Sequence, residues 1–235
     1  NERGDLKDST IKVYRDIVLL DSIEQGSIVR ELYAFTDIPK EYLNQSFYDE
    51  MIDNGFIPHG EEAPINVILY SVDRDTFKYY VRQLGLDESL FTNPDSPAGI
   101  AIDYQHYYSD QQKRFINSSI FSSKKPESIA LTVVHQEDGE RQLKEDIQLV
   151  AFANEAPFGV PDYASNLFSI IVVVSDEIRK AIFDGDEKIW GPANMYFAAV
   201  DPFEAEQDIM DILVDAGLPT HNLLNIAGYI QNSRN

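Results

Sequence analysis

Apolar runs followed by stretches of helical periodicity recur four times along this chain. The runs cover residues 11–20, 65–70, 168–174 and 194–200. Short apolar runs bounded by polar residues are typical of buried strands, whereas apolar spacings of three and four are typical of amphipathic helices. The pattern therefore predicts four strand–helix units.

The fourth unit carries the most complete signal for the start of a helix. Asp201 is predicted as the N-cap, Pro202 as the first helical residue and Glu204 as the partner that completes a capping box. The predicted helix ends at Gly217, and its apolar positions share one face: Ile209, Ile212, Leu213 and Ala216.

The other three units are assigned by the same signals. Asp73 and Ser175 are predicted as N-caps after the second and third apolar runs. In the first unit we expect a strand over 11–20, followed by a helix that begins with a capping box of Ser22 and Gln25. That helix would bury a stripe formed by Ile28, Val29 and Leu32.

The middle of the chain, about residues 104–160, is predicted to be β-rich. One strand is predicted just before it, at 98–103; within it strands are predicted at 128–135 and 141–152, and Asp138-Gly139 is a hairpin turn signal. A short helix is expected at 47–52 and a closing strand at 222–229. Two strand–helix units on each side of this region predict an α+β fold of split βαβ units, with helices covering one face of a sheet.

The charge balance excludes some partners. The chain has 19 Lys and Arg against 40 Asp and Glu, a net charge of −21, and a hydrophobic content of 43%. Phosphate binding needs clustered cations, so nucleic acid is excluded as a partner, whereas an acidic surface suits a cationic partner or simple solubility. The chain contains no cysteine, which excludes disulfides, thiolate metal sites and a cysteine nucleophile.

The sequence predicts no catalytic residue, no cofactor and no metal ligand set. Four histidines lie far apart in the sequence, so only a site assembled in three dimensions could use them: His59, His106, His135 and His221. No serine-nucleophile elbow and no phosphate-binding glycine loop is present.

One aromatic cluster is the candidate binding surface. It consists of Tyr104, His106, Tyr107 and Tyr108. Tyrosine combines a large apolar ring with a polar hydroxyl, which favours recognition sites. Structural packing at a junction of two subdomains would explain the same cluster.

The membrane signals within the sequence are weak. The longest uncharged apolar stretch, Tyr163 to Ser175, is shorter than the roughly 20 residues of a membrane-spanning helix. We expect a soluble segment, either free or excised from a membrane protein.

Several stretches, in order, resemble one family. They are 65–86 followed by 92–102, the strand and serine of 168–177, and the final segment 194–235. The resemblance extends over most of the chain's length, and these stretches are similar to the large extracytoplasmic domain of bacterial FtsX-like ABC transporter permeases related to MacB.

The resemblance implies both an architecture and a function. It implies a porter-like α+β part formed by residues 1–103 and 162–235, and a smaller β-rich subdomain inserted at 104–161. It also implies a non-catalytic domain on the extracellular face of the cell membrane, in a permease that forms a homodimer. A separate cytoplasmic subunit would hydrolyse ATP and drive export, antimicrobial-peptide resistance or cell-envelope regulation.

Other functions remain open beside this one. The domain's partner would be a cationic peptide or a cell-envelope protein. The alternatives are a free secreted binding or adhesion module, and a hydrolase that uses dispersed carboxylates.

Overall fold

The computed structural model describes residues 8–57, 60, 62–109, 113–135, 141–161, 168–185 and 188–227. Five helices lie in these ranges: α1 (Asp8–Val18), α2 (Gln45–Asp53), α3 (Arg74–Gln83), α4 (Asp176–Arg179) and α5 (Pro202–Asp215). The nine strands are β1 (Ile23–Pro39), β2 (Glu62–Val72), β3 (Ala98–Ile102), β4 (Gln105–Ser109), β5 (Arg114–Ser118), β6 (Ser128–His135), β7 (Arg141–Ala153), β8 (Ser169–Ser175) and β9 (Asn194–Ala199).

The chain divides into two compact units. One comprises residues 1–28 and 193–235, and will be called the terminal unit; the other comprises residues 29–192, and will be called the barrel unit. Strand β1 contributes its residues 23–28 to the terminal unit and its residues 29–39 to the barrel unit.

Six strands of the barrel unit close into a barrel in the order β2-β8-β3-β7-β6-β1, and the pairing of β1 with β2 completes the ring. The β1–β2, β3–β8, β6–β7 and β1–β6 pairs are antiparallel, whereas β2–β8 and β3–β7 are parallel. Closure pairs the strand edges that an open sheet would leave exposed.

The barrel interior is filled by side chains that alternate along the strands. Leu32 of β1 lies opposite Leu69 of β2, which lies opposite Val172 of β8, and all three are fully buried. They belong to a continuous apolar core that also includes helix α2 and the end of β8. A barrel of this size has room for its own side chains.

The predicted porter-like arrangement of split βαβ units with a β-rich insert is wrong. Strands β6 and β7, predicted within the insert, are strands of the barrel itself. Strand β8 pairs with β2 on one side and β3 on the other, so the units before and after the β-rich region share one closed sheet. The long strand β1 makes this closure possible because it pairs with β2 and also with β6.

In the first predicted strand–helix unit the order of the two elements is wrong, because a helix comes first and a strand follows it. The run predicted as a strand is helix α1, because Val13 and Ile17 are spaced by four and bury one helical face. The stretch predicted as a helix after Ser22 is strand β1, in which Leu32, Ala34 and Ile38 alternate toward the core.

The other three units are confirmed. The carboxylate of Asp73 accepts hydrogen bonds from the backbone N–H groups of Asp75 and Thr76, at 3.2 and 3.1 Å. Ser175 accepts from the N–H of Ile178 at the start of α4, and Asp201 caps α5 in the same way. The predicted helix at 47–52 and the predicted strands at 98–103, 128–135 and 141–152 are also confirmed as α2, β3, β6 and β7.

Replacing Asp73 by alanine should lower the free energy of unfolding by about 1 kcal/mol, because two N–H groups of the first helical turn lose their acceptor. Urea denaturation measures this change. Asp95→Ala, at an exposed turn, is the control and should change stability by less than about 0.5 kcal/mol. Equal effects of the two substitutions would contradict the capping role.

The phenol of Tyr80, on the buried face of α3, donates a hydrogen bond of 2.6 Å to the backbone oxygen of Glu155. Burial, and secondarily the charge of Glu155, raise the pKa of Tyr80 above its ordinary value. The unfolded chain therefore loses this proton first, so stability should fall as the pH rises above about 10.

The Tyr80→Phe variant should lose less stability over that alkaline range than the parent chain does. Urea titrations near about pH 8 and about pH 11 measure the difference. Tyr79→Phe, which changes an exposed neighbour on the same helix, is the control. If Tyr79→Phe altered the alkaline loss as much as Tyr80→Phe, the assignment to Tyr80 would be wrong.

The terminal unit has a small core of its own. Helices α1 and α5 pack together, and the core is formed by Val13, Ile17, Ile23, Ala205 and Ile209. Strand β9 is hydrogen-bonded to β1, and the Ser22 hydroxyl donates to the Asp208 carboxylate at 2.9 Å.

Two predicted features, the closing strand and the hairpin turn, lie partly or wholly outside the described residues. The closing strand predicted at 222–229 is absent from residues 222–227, where a turn is followed by the start of a helix, and 228–229 lie outside the described residues. The Asp138-Gly139 turn also lies outside them. No helix within the described ranges has the length and apolar character needed to cross a membrane.

Candidate binding surface

Strands β4 and β5 form a separate two-stranded antiparallel sheet, which we call the aromatic hairpin. His106 lies opposite Asn117, and Tyr108 lies opposite Phe115. Directly opposed residues and residues two apart share a face of a β-ribbon. These four side chains therefore lie on one face.

The opposite face of the aromatic hairpin is attached to the barrel unit. Ile116 packs against the barrel core, and Gln105 is buried. The Gln105 amide donates a hydrogen bond of 3.3 Å to the backbone oxygen of Ser169 at the start of β8. An isolated two-stranded ribbon is marginally stable, so these contacts fix the position of the hairpin on the barrel unit.

The aromatic side chains contact one another while remaining exposed. The rings of His106 and Phe115 are stacked at 5.0 Å with an interplanar angle of 1°, and the rings of Tyr108 and Phe115 meet edge to face at 5.4 Å. Tyr108 is 47% exposed and Phe115 is 66% exposed. Such ring pairs contribute about 1 kcal/mol each beyond area burial, so the cluster is held in place before any partner arrives.

A hydrogen bond between His106 and Asn117 orients the imidazole. His106 Nδ1 lies within hydrogen-bonding distance of Asn117 Oδ1. The bond thereby supports the stacking of His106 on Phe115.

The segment that carries the aromatic hairpin differs in charge from the rest of the chain. Residues 104–125 contain four cationic residues and one acidic residue, a net charge of +3 in a chain of net charge −21. Two of the cations, Lys113 and Arg114, are exposed at the start of β5.

Lys124 and Lys125 form ion pairs with carboxylates that lie outside this segment of the sequence. Lys124 Nζ lies 2.5 Å from Glu41 Oε1, and this hydrogen bond raises the pKa of Lys124. Lys125 forms an ion pair with the buried Asp103, whose carboxylate also accepts the N–H of Phe121 at 2.8 Å. Lys124 and Lys125 therefore fix the chain after β5.

The structure brings part of the predicted surface together. His106 and Tyr108 share the exposed face, whereas Tyr104 precedes β4 and is half-buried. The backbone of Tyr107 pairs with Ile116, and its side chain lies outside the described part of the chain. A binding role for these residues stays a prediction.

Phe115 and Asn117 were missed by the sequence reasoning. The alternation of apolar and polar residues along Arg114–Ser118 could have identified them, because it is typical of the return strand of a hairpin that begins at Gln105. Of the three other histidines, His221 is exposed, and the side chains of His59 and His135 lie outside the described residues. Among the residues that the structure describes, no group of three or more His, Asp or Glu side chains could hold a metal ion.

Comparisons of the chain with protein-family models, curated proteins and solved structures find no match. The resemblance to FtsX-like permeases therefore remains a prediction that rests on the stretches quoted above.

Proposed function

We propose that this chain is the non-catalytic extracellular domain of a bacterial FtsX-like ABC transporter permease related to MacB. The observation that supports the proposal is the nesting of the two units. The terminal unit is built from residues 1–28 and 193–235, and the barrel unit is the continuous segment between them. In a permease of this kind, the two segments nearest the membrane helices would belong to a single unit.

The packing of the terminal unit fits this role. Helices α1 and α5 share one apolar core, so a displacement of one helix is opposed by its contacts with the other. Strand β1 belongs to both units and is a covalent route from the terminal unit to the barrel unit. A conformational change that reaches α1 and α5 would pass to the barrel unit along this strand.

In the proposed permease, ATP is hydrolysed by a subunit other than this domain. A cytoplasmic ATP-binding subunit drives the cycle through the membrane part of the permease, which acts as a homodimer. The domain takes no part in chemistry and presents a surface to a partner outside the cell, in export, antimicrobial-peptide resistance or envelope regulation. The net charge of −21 would attract a cationic peptide over distances limited by ionic screening.

Purification of the full-length gene product from membranes tests the proposal. The product should be recovered with an ATP-binding subunit. Deleting residues 8–227 should leave this association intact but abolish transport or peptide resistance in cells. Recovery from the culture medium without any ATP-binding subunit would contradict the proposal and support a free secreted binding module.

A screen for substrate turnover tests the third alternative, a hydrolase that uses dispersed carboxylates. The purified chain should show no hydrolysis of generic glycoside and ester substrates above buffer. Turnover that is lost on a carboxylate-to-amide substitution would contradict the non-catalytic role and support a hydrolase.

A further inference from the structure

We propose that Asp103 and Lys125 are a modification site, at which the two side chains condense into an intramolecular amide bond. The bond joins Lys125 Nζ to Asp103 Cγ and releases one water molecule. This inference goes beyond the proposed function and does not depend on it. It is carried by the burial of the pair, by the aromatic rings next to the amine and by a hydrogen-bond donor on the carboxylate.

The amine and the carboxylate are in direct contact and largely out of water. Lys125 Nζ lies against Asp103 Oδ2, and the side chains of Asp103 and Lys125 are 10% and 33% exposed. Taking two ions out of water costs free energy that their mutual attraction does not always offset. An amide carries no charge and avoids this desolvation cost. Burial therefore favours condensation of this pair over the separated ions.

Two aromatic rings lie next to the amine and hold it in place. Lys125 Nζ is 4.6 Å from the centre of the Phe152 ring and 5.7 Å from the centre of the Phe121 ring. The two rings meet edge to face at 5.0 Å, and Phe121 belongs to the core of the barrel unit. Groups held in a reacting geometry have effective concentrations that reach about 10⁵ M or more, which offsets the excess of water that opposes condensation.

The hydrogen bonds of the Asp103 carboxylate assign a role to each of its oxygens. Transfer of a proton from Nζ to Oδ2 gives a neutral amine and a neutral acid, which burial favours over two ions. The amine lone pair then attacks Cγ, an N–C bond forms, and the electron pair of the C=O bond moves to Oδ1. The N–H of Phe121 donates to Oδ1 at 2.8 Å and stabilises this developing negative charge.

Loss of water completes the reaction. A second proton passes from the nitrogen to the Oδ2 hydroxyl, the Cγ–Oδ2 bond breaks, and Oδ1 becomes the carbonyl oxygen of the amide. The step needs no oxidant and no further reactant, and one positive and one negative charge disappear together.

The bond closes a covalent loop around the aromatic hairpin. Asp103 directly follows β3, Lys125 lies between β5 and β6, and the two residues are 22 positions apart, so β4 and β5 lie within the loop. A cross-link of this kind restricts the unfolded chain as a disulfide does. Unlike a disulfide, it requires no cysteine, and this chain contains none.

Mass spectrometry of the full chain tests the proposal. After incubation of the folded chain at neutral pH, the intact mass should be about 18 Da, one water, below the mass calculated from the sequence. Fragmentation of a protease digest should identify a branched peptide that joins residues 103 and 125. A succinimide at an Asp-Gly pair would lower the mass equally, but it joins no second peptide, so the digest distinguishes the two.

The neighbouring ion pair is a matched control within the same molecule. Lys124 Nζ lies 2.5 Å from Glu41 Oε1, but both side chains are 57% exposed, so no branched peptide should join residues 41 and 124. Lys125→Arg keeps a cation beside Asp103 but removes the amine, and this variant should have its full calculated mass. Lys124→Arg should retain the deficit of one water. Circular dichroism confirms that both variants are folded, and the digest of the parent chain decides the question if Lys125→Arg is not.

Several results would overturn the proposal. They are an intact mass equal to the calculated mass, a digest in which residues 103 and 125 occur only in separate peptides, and a water deficit that Lys125→Arg retains. A branched peptide that joins residues 41 and 124 to the same extent would overturn the role assigned to burial, since contact alone would then be sufficient.

Discussion

Replacing Phe47 by alanine should lower the free energy of unfolding by about 4 kcal/mol, because it removes a large aromatic side chain from the core. Phe47 lies on α2, is fully buried, and its ring is 5.8 Å from that of Phe168. The substitution removes this contact and leaves a cavity between α2 and the core of the barrel unit. Since domains are stable by about 5 to 15 kcal/mol, much of the stability would be lost.

Phe56→Ala is the control for Phe47→Ala, because the Phe56 ring also contacts Phe168 but is exposed. Phe56 lies 4.8 Å from the Phe168 ring but is 56% exposed. Phe56→Ala should cost less than about 1.5 kcal/mol in chemical denaturation, because water already reaches most of the side chain. Similar losses for both variants would contradict the placement of α2 on the core.

Replacing Gly99 by alanine should lower the free energy of unfolding by about 3 kcal/mol. A Cβ at this position would lie 2.6 Å from Val172 Cγ1 and 3.1 Å from the backbone oxygen of Val173. Strand β8 would have to move, although it is paired on both sides within the barrel. Gly99 also adjoins the register shift between β3 and β7, where the two strands depart from regular pairing.

Gly60→Ala is the matched control because it adds the same methyl group where the nearest atom is 3.5 Å away. It should change stability by less than about 0.5 kcal/mol in the same denaturation experiment. A Gly99→Ala variant as stable as the parent would contradict the close approach of β3 to β8.

The units that were predicted correctly have strong local signals. Asp73, Ser175 and Asp201 each follow an apolar strand and accept hydrogen bonds from the first turn of the next helix. An N-cap side chain bonds N–H groups only two or three residues away, so the residues that determine the start of the helix are close together in the sequence.

Strand β1 was missed because its inward face is not uniformly apolar. Arg30 and Thr36 are buried on the same face as Leu32, and the exposed Tyr33 lies between them. Polar residues inside and an aromatic residue outside obscure the alternation that identifies a strand. The short apolar stripe near Ile28 therefore resembled a helix.

Barrel closure could not be predicted from local patterns. The decisive pairings join β1 to β2 and β8 to both β2 and β3, and the latter connect residues about 70 to 100 positions apart. The same limitation applied to the candidate site. Tyr108 was visible within its cluster, but its partner Phe115 became evident only when β4 and β5 were paired.

The absence of cysteine from this chain permits a direct test of its proposed location. Ser96→Cys, in an exposed turn, introduces a thiol that a membrane-impermeant maleimide can label in the full-length protein. Ser71→Cys, at a buried position in β2, is the control and should be labelled only after unfolding. The parent protein, without either substitution, is labelled in parallel to measure the background from any cysteine elsewhere in the full-length protein.

The extent of Ser96→Cys labelling in intact cells, compared with lysed cells, tests the central claim most directly. We predict equal labelling before and after lysis, with the labelled protein in the membrane fraction. Labelling that occurs only after lysis would contradict an extracellular domain of a membrane permease.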